Sequence, residues 1–458
     1  MASTGPKLRR ELLVIGAQFT GTFVAREMKA EFDVTIVDAK EYFEYTPGIL
    51  RAYVQPAHYE ALSFLLEPVL AERMGVRFIL GEVTKLEAQG VSVKPLLGGQ
   101  MLRLSFDYCI VCSGCNFGPY HKLGESLWAP TIHEAARLES QWDSVDERFL
   151  EGRKQHILQE HEAIRALNER KAKVLVVGAG FIGVEWVTDL NYFFRDLDLT
   201  VIDFLPRCLG PLPDKAAEYC AKYMQAAGIK ERYGVKYNPD SQMFWDQIGM
   251  RERADRIDVC IGVKACNYFM PSETLSDRGP GGGGWIHFNT KLQVTKRPLQ
   301  NQPVGDLWGG GRVFAVGDCN YGGIGTPPQW VMPPVPKVSY PGEEQAFHAC
   351  KNVRLLDAQL TRTEGAPPVG DLKDTWWPWG AGMFATSLGK VDGCFVVGAN
   401  HTKGSGVVLT WGWLSSFQKD FIEKTKMMEC KDRCFGKMVW HFVHRMPVNL
   451  WGKGPLFP

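Results

Sequence analysis

The chain has 458 residues, 45% of them hydrophobic, and its 52 lysines and arginines nearly balance 51 aspartates and glutamates. This size leaves room for two or three domains. Because the charges balance, the chain has no strong net electrostatic field that would attract nucleic acid or acidic substrates. No apolar run approaches the roughly 18–20 residues that span a bilayer, and no signal peptide or acylated N-terminus is predicted, so twelve cysteines indicate reduced thiols in an intracellular protein.

The first predicted element is the apolar strand of LLVIGAQFTG (12–21), which runs into a glycine-rich turn. A helix and a second strand follow, and that strand ends in Asp38. In the glycine-rich turn of a dinucleotide-binding fold, the first glycine allows the bend and the second lets the backbone approach the pyrophosphate of the ligand. The third lets the helix pack closely on the strand. Gly16 and Gly21 fit this pattern, but Gln18 replaces the middle glycine. We expect its side chain to point away from a cofactor and to weaken binding.

The strand of DYCIVCSGCN carries a cysteine run and ends in Ser113–Gly114. Cys109, Cys112 and Cys115 have the spacing of a metal motif, but alternation along a strand sends the first two to opposite faces. No second set of cysteines or histidines completes four ligands. The sequence therefore predicts no metal site.

The second turn, VLVVGAGFIG (174–183), has all three glycines, Gly178, Gly180 and Gly183. A helix and a strand follow it, and Asp203 ends that strand twenty residues past Gly183. A carboxylate there accepts hydrogen bonds from a ribose diol and repels a 2′-phosphate, which favours NADH over NADPH. An ordinary strand–turn–helix unit without ligand is a serious alternative for one copy, but a minor one for two.

The last elements are a strand in GRVFAVGDCN (311–320), alternating segments over 382–411 and a helix in LSSFQKDFIEKTKM. They predict a small C-terminal α+β domain. A further helix places its apolar residues on one face, with basic residues on the other; the apolar set is Phe435, Met438, Val439, Phe442, Val443 and Met446. It is too short to span a bilayer but suits a membrane interface. Docking on the protein itself or on a partner is an equal alternative.

The chain resembles the two-dinucleotide-binding-domain flavoproteins. The resemblance is carried by the two glycine-rich turns, the Ser-Gly strand end and the VFAVGD strand. Through VTIVDAKEYFEYTPGILRA, GFIGVEW, DVCIGVK, GWIHFNTKLQV and PKVSYPGEEQAFHACKNV the chain is similar to the type II NADH dehydrogenase and apoptosis-inducing-factor-like branch, over most of residues 12–427. The resemblance implies an α/β fold of two Rossmann-like domains, the NAD domain inserted in the FAD domain. Expected boundaries are 1–125 and 305–375 for FAD, 126–304 for NAD(P)H and 376–458 for the C-terminal domain.

The resemblance also implies roles for four residues. Asp318 holds the ribityl chain of FAD, Glu185 faces nicotinamide and flavin, and Lys337 lies near the pyrimidine edge of the flavin. Gln345 falls on the quinone side. Without the resemblance, Glu185 is an ordinary acid in the first turn of a helix and Lys337 a solvated loop lysine.

Residues 39–54, where disulfide reductases of this superfamily carry a redox cysteine pair, contain no cysteine. The expected function is therefore hydride transfer from NADH to FAD and electron delivery to a membrane quinone by a peripheral membrane protein. A homodimer or a larger complex is possible. Several departures from the family pattern leave open a structural subunit of a larger complex: Gln18, Pro341, Glu343–Glu344 and the long loops 277–284 and 364–381. A second alternative is an NADH-dependent reductase of a soluble acceptor.

Overall fold

The computed structural model describes residues 9–116, 146–326, 329–332, 337, 339–363, 367–375, 382–399 and 406–442. The N-terminal part alternates strands and short helices. Its elements are β1 (Glu11–Ile15), α1 (Phe19–Met28), β2 (Asp33–Asp38), β3 (Tyr42–Glu44), α2 (Ile49–Val54), α3 (Tyr59–Leu62), β4 (Ser63–Leu65), β5 (Arg77–Glu87), β6 (Gly90–Pro95), β7 (Leu102–Ser105), β8 (Tyr108–Val111) and β9 (Cys115–Asn116).

A second α/β unit follows, built on a four-stranded parallel sheet of order β12-β11-β10-β13. Its elements are α4 (Leu150–Glu169), β10 (Lys173–Val177), α5 (Phe181–Phe193), β11 (Asp198–Asp203), α6 (Asp214–Ala226), β12 (Lys230–Tyr233), α7 (Gln242–Gln247), β13 (Arg256–Val259) and β14 (Lys264–Ala265). The apolar run of β10 is buried on both faces, as helices covering a parallel sheet require.

The chain then returns to the first unit with β15 (Val313–Ala315), β16 (Ile324–Thr326), β17 (Gln329–Met332) and α8 (Ser339–Leu360). Strand β15 completes a seven-stranded sheet of order β15-β8-β1-β2-β5-β6-β7. The first five strands of this order are parallel, and β5, β6 and β7 form an antiparallel meander. Two Rossmann-like units, the second inserted in the first, confirm the predicted fold class.

The insertion is connected through the antiparallel pair β9 and β14. Residues after β14 pack on the first unit: the Leu86 N–H donates to the Phe269 carbonyl, and the Val294 N–H donates to the Val313 carbonyl. The predicted NAD(P)H segment, 126–304, therefore includes a stretch that packs on the seven-stranded sheet. The domain boundaries stay a prediction.

The C-terminal part consists of β18 (Gly382–Leu388), β19 (Asp392–Ala399), β20 (Val407–Trp411), α9 (Trp413–Cys430) and α10 (Cys434–Trp440). Its three strands are antiparallel, and α9 packs across them. Of the predicted amphipathic helix, residues up to Phe442 are described, while Val443, His444, Arg445 and Met446 lie outside the described residues. Within the described part, no helix is long and apolar enough to cross a membrane.

Candidate functional site

The first glycine turn joins β1 to α1. Gly16 has φ of +98°, and a Cβ there would lie 2.4 Å from the Cys112 carbonyl oxygen. A Cβ on Gly21 would lie 1.7 Å from the Gly16 oxygen, so both positions exclude a side chain. The Asp38 carboxylate accepts a hydrogen bond from the Ala17 N–H at 2.6 Å, which fixes the turn from the end of β2.

Gln18 occupies the middle of this turn, and its side chain is bound to strand β3. The amide nitrogen donates to the Tyr42 carbonyl, and the amide oxygen accepts from the Glu44 N–H, both at 3.1 Å. The side chain thus satisfies one donor and one acceptor of a short strand, as a neighbouring peptide group would. Weaker binding of the cofactor because of Gln18 stays a prediction.

The second turn, between β10 and α5, repeats this geometry. Gly178 has φ of +101°, and a Cβ on Gly183 would lie 1.7 Å from the Gly178 oxygen. The Asp203 carboxylate accepts from the Ala179 N–H at 2.6 Å. At Gly180 an added Cβ would meet nothing within 4 Å. The protein itself does not require a glycine there, so the open space is available to a ligand.

The strand end after β8 lies beside the Gly317–Asp318 turn. Gly114 has φ of +68°, and the Ser113 hydroxyl donates to the Asn267 side-chain oxygen at 2.8 Å. The Asn267 amide donates in turn to the Cys319 carbonyl at 2.8 Å. The sequence offered no signal for Asn267, because it lies far along the chain in an irregular segment.

Asp318 and Lys337 come together at this turn. The Lys337 ammonium donates to the Asp318 main-chain carbonyl at 3.0 Å and to the Asn320 carbonyl at 3.1 Å. Burial raises the pKa of the Asp318 carboxyl to about 6, while the charge of Lys337 acts in the opposite direction. Lys337 is half-buried and hydrogen-bonded here, so it is not a solvated loop lysine.

Gln345, in the first part of α8, lies under the same turn. It is 2% exposed, and its side-chain oxygen accepts from the Gly317 N–H at 2.8 Å and from the Asn320 amide at 2.7 Å. These contacts hold the backbone that carries Asp318. The quinone-side role of Gln345 stays a prediction.

Glu185, on α5, faces the C-terminal part of the chain. Its carboxylate accepts from the Ser387 N–H at 2.9 Å and forms an ion pair with Lys419 of α9. Sequence reasoning missed both partners, which lie more than 200 residues away in a different domain. The contact places Glu185 where three parts of the chain meet.

A small cavity of about 30 Å³ opens at this meeting point, enough for about one water. The residues that line it come from α2 and its surroundings, from α5 and from α9, and they include Arg51, His58, Asp189, Lys419 and Glu423. Arg51 makes a two-pronged ion pair with Asp189 at 2.9 and 3.1 Å. The charges at the junction are thus mostly paired across domains.

The cysteines of the 109–115 run separate as alternation predicts. Cys109 packs in the apolar cluster on one face of the seven-stranded sheet, and Cys112 in the cluster on the other face. In the described ranges, no group of three or more His, Cys, Asp or Glu side chains is placed to hold a metal ion.

Both turns fit a dinucleotide, since each presents an acid-braced glycine bend at a helix start. The fold and the site therefore define a protein with two dinucleotide-binding folds. The sequence profile of the pyridine nucleotide-disulphide oxidoreductases matches residues 10–333, and the chain belongs to that family. The predicted oxidoreductase, with FAD and NADH as its cofactors, is confirmed by this membership together with the relatives below.

Among curated relatives, the type II NADH:quinone oxidoreductase of Staphylococcus saprophyticus is 21% identical over 382 residues, covering 77% of this chain and 84% of that protein. Apoptosis-inducing factor homolog B of Dictyostelium discoideum is 23% identical over 337 residues, covering 68% and 75%.

Solved structures are similar over almost the whole chain. The sulfide:quinone oxidoreductase of Aquifex aeolicus has a TM-score of 0.65 at 14% identity and covers 95% of this chain and 96% of its own. NDH2 of Plasmodium falciparum in complex with NADH has a TM-score of 0.60 at 11% identity and covers 98% and 100%. At these identities the likeness shows the fold alone.

Proposed function

We propose that this chain takes hydride from NADH onto FAD and passes two electrons to a quinone. The observation that carries the proposal is Lys337, whose ammonium is bound by the two carbonyls of Asp318 and Asn320, close to the Asp318 carboxyl, whose pKa is raised. Bound FAD supplies the hydride acceptor and releases electrons singly or in pairs. A fixed cation at its pyrimidine edge favours negative charge on the reduced ring and so raises its reduction potential.

The remaining residues bind and orient. The turn at Gly16–Gly21, with Asp38, holds the FAD pyrophosphate and ribose, and Asp318 holds the ribityl chain. The turn at Gly178–Gly183 and Asp203 do the same for NADH. Glu185 orients the nicotinamide, with its own carboxylate fixed by Ser387 and Lys419. The absence of a cysteine pair in residues 39–54 supports direct transfer from flavin to an acceptor.

Stopped-flow measurement of the two half-reactions tests these roles. Glu185→Ala should slow flavin reduction by NADH and leave reoxidation by quinone almost unchanged, because a residue that orients nicotinamide acts in the first step only. Lys337→Met should lower the flavin potential, weaken reduction by NADH at equilibrium and slow reoxidation as well. Lys419→Met is the companion variant: it keeps the Glu185 carboxylate and its hydrogen bond from the Ser387 N–H but removes the ion pair, so it should show a milder form of the same defect.

If Lys337→Met changes neither the flavin potential nor either rate, the proposed role of Lys337 is wrong.

The electron acceptor is tested separately by the absorbance of the purified protein. A flavin band that NADH bleaches, with turnover stimulated by quinone, supports the proposal. Bleaching without stimulation by quinone favours a soluble acceptor, and a protein without flavin absorbance favours a structural subunit.

Attachment to a membrane surface belongs to the same proposal, since a membrane quinone is reached from the bilayer. Trp413, Phe417 and Phe421 repeat every four residues along α9 and are 72%, 59% and 44% exposed. Phe435 and Met438 of α10 are 52% and 48% exposed. An apolar surface made of large side chains on neighbouring helices is typical of interfacial binding.

Helix α10 is nevertheless anchored to the protein. Gly436 is buried so closely that a Cβ would lie 2.4 Å from the Glu429 nitrogen, and the Trp440 indole donates to Glu343 at 3.0 Å. Deletion from Cys434 onward should release the protein from vesicles of phosphatidylcholine and phosphatidylglycerol and leave reduction of a water-soluble quinone nearly intact. Phe417→Glu tests the surface without removing α10, and Leu97→Glu, at a 79% exposed site elsewhere, is its control. Unchanged vesicle binding of both the truncated chain and Phe417→Glu would contradict the proposal.

A further inference from the structure

Trp285 lies directly against Lys337. The centre of its indole ring is 4.0 Å from the Lys337 ammonium nitrogen, and the tryptophan is fully buried. Among aromatic side chains, the ring face of tryptophan attracts a cation most strongly, within about 6 Å of the ring centre. Since an ammonium carries three donor hydrogens, the two carbonyls of Asp318 and Asn320 together with this ring account for its surroundings.

The segment that carries Trp285 is attached to the Asp318 turn by backbone hydrogen bonds. The Ile286 N–H donates to the Cys319 carbonyl at 3.2 Å, and the Tyr321 N–H donates to the Ile286 carbonyl at 2.9 Å. The ring and the two carbonyls that bind Lys337 therefore belong to one rigid piece of structure. The lysine stem is flexible, with four carbons, so the position of its ammonium depends on these contacts.

A glycine-rich loop, residues 276–284, wraps around the indole. The indole N–H donates to the Pro280 carbonyl at 2.8 Å, and the Trp285 N–H donates to the Ser276 hydroxyl at 3.1 Å. Gly279 has φ of +120°, and a Cβ there would lie 3.0 Å from the indole Cδ1. The loop thus fits the ring closely and holds it in one orientation, which gives the long loop 277–284 a structural role.

We propose that Trp285 is a positioning residue that holds the Lys337 ammonium beside Asp318, with the 276–284 loop as its support. The inference rests on the proposed role of Lys337 toward the flavin. The two carbonyls supply the hydrogen-bond acceptors, and the ring face adds a third favourable contact for the ammonium. Without the ring, the lysine stem samples other rotamers, and its charge at the flavin edge falls on average.

The test is the flavin midpoint potential of the FAD-loaded protein, measured in Trp285→Phe, Trp285→Leu, Lys337→Met and the double variant Trp285→Leu/Lys337→Met. Trp285→Leu should lower the flavin midpoint potential, as Lys337→Met does. Trp285→Phe should keep the potential close to that of the unmodified protein, because it retains an aromatic ring. The double variant should show no shift beyond that of Lys337→Met alone, since Trp285 acts through the lysine.

A double variant whose potential falls below that of Lys337→Met by the full effect of Trp285→Leu would overturn the inference. A shift in Lys337→Met with none in Trp285→Leu would also overturn it and leave the role of Lys337 intact. No shift in Lys337→Met would instead contradict the proposed role of Lys337 toward the flavin, on which this inference rests.

Loss of a buried indole can prevent folding, so a second experiment preserves the shape of the side chain at position 285. Tryptophan analogues that carry one to four ring fluorines are incorporated at position 285. They nearly preserve the size of the indole and weaken the attraction of its ring face for a cation. The potential should fall stepwise with the number of fluorines in the chain with Lys337, and stay constant in Lys337→Met. Potentials independent of fluorination in the presence of Lys337 would show that the ring only fills space.

Discussion

The two glycine turns of this chain have the same backbone frame and differ at the middle one of their three glycine positions. The first glycines, Gly16 and Gly178, have φ of +98° and +101°, and each turn is braced by an aspartate that accepts a main-chain N–H at 2.6 Å. The third glycines would each clash at 1.7 Å with the oxygen of the first. Of the three glycine positions, the middle one differs, with Gln18 in one turn and Gly180 in the other.

This difference separates what folding requires from what a ligand requires. Contacts within the protein exclude a side chain at the first and third positions, whereas the space at Gly180 is open. A side chain at the middle position is therefore compatible with the fold, and we propose that the glycine there serves the ligand. Gln18 shows the consequence, since its amide has become a structural link to β3.

The largest effect should separate Gly183→Ala from Gly180→Ala. The first places a methyl group against a backbone oxygen that cannot move without distorting the turn, and should lower stability by about 3 kcal/mol or more. For a domain of about 150–250 residues, such a loss of stability lowers Tm by roughly 6–12 °C. Gly180→Ala should stay within about 1 kcal/mol of the wild type without nucleotide, yet bind NADH more weakly. Thermal unfolding with and without NADH measures both.

An equal loss of stability in Gly180→Ala and Gly183→Ala would contradict the assignment of the middle position to the ligand. The corresponding variant of the first turn, Gly21→Ala, should behave as Gly183→Ala does, because the distance to the preceding oxygen is the same.

A smaller effect should distinguish the two bracing aspartates. Asp203→Ser should shift donor preference toward NADPH by about tenfold or more, because the carboxylate that repels a 2′-phosphate is removed. The variant also loses hydrogen bonds to the N–H groups of Ala179 and Leu205. Asp38→Ser loses the equivalent pair in the first turn and is the matched control. The ratio of kcat/KM for NADH and NADPH is the measurement.

Asp38→Ser should reduce flavin retention and leave this ratio unchanged. Equal use of the two donors by the unmodified protein would contradict the assignment of Asp203.

Local sequence predicted the local parts of the structure. Both turns, their aspartates and the Gly317–Asp318 strand end are contiguous patterns whose physics involves neighbours in the chain, and they fold as expected. The chain order of strand, turn and helix also predicted the two Rossmann-like units.

Contacts between distant segments could not be predicted in the same way. Lys419 and Ser387 reach Glu185 from another domain, and Trp285 meets Lys337 only because Ile286 pairs with the Asp318 turn. Nor does any pattern indicate Arg153, fully buried on α4 with its guanidinium paired to Glu44 and Glu147. Such pairs follow from packing of whole domains, for which one sequence carries no periodic signal.

The smallest expected effect, and the most direct test of the middle position, comes from Gln18→Gly. Loss of the two hydrogen bonds to β3 should destabilise the apo-protein by about 1–2 kcal/mol, and the added backbone freedom of glycine contributes in the same direction. Removal of the Cβ should at the same time raise flavin retention, because backbone can then approach the pyrophosphate. Stability and retention should therefore change in opposite senses.

Gln18→Met separates the two effects, because methionine keeps the Cβ and the length of the side chain but not the amide. It should lose about as much apo-protein stability as Gln18→Gly without any gain in flavin retention on dilution. Lower retention in Gln18→Gly than in Gln18→Met would show that the backbone of this turn must be held rigid by a side chain to bind FAD. Lower retention than the wild type in both, by the same factor, would show that the amide itself binds the cofactor. The ligand requirement proposed for Gly180 would in either case not extend to the first turn.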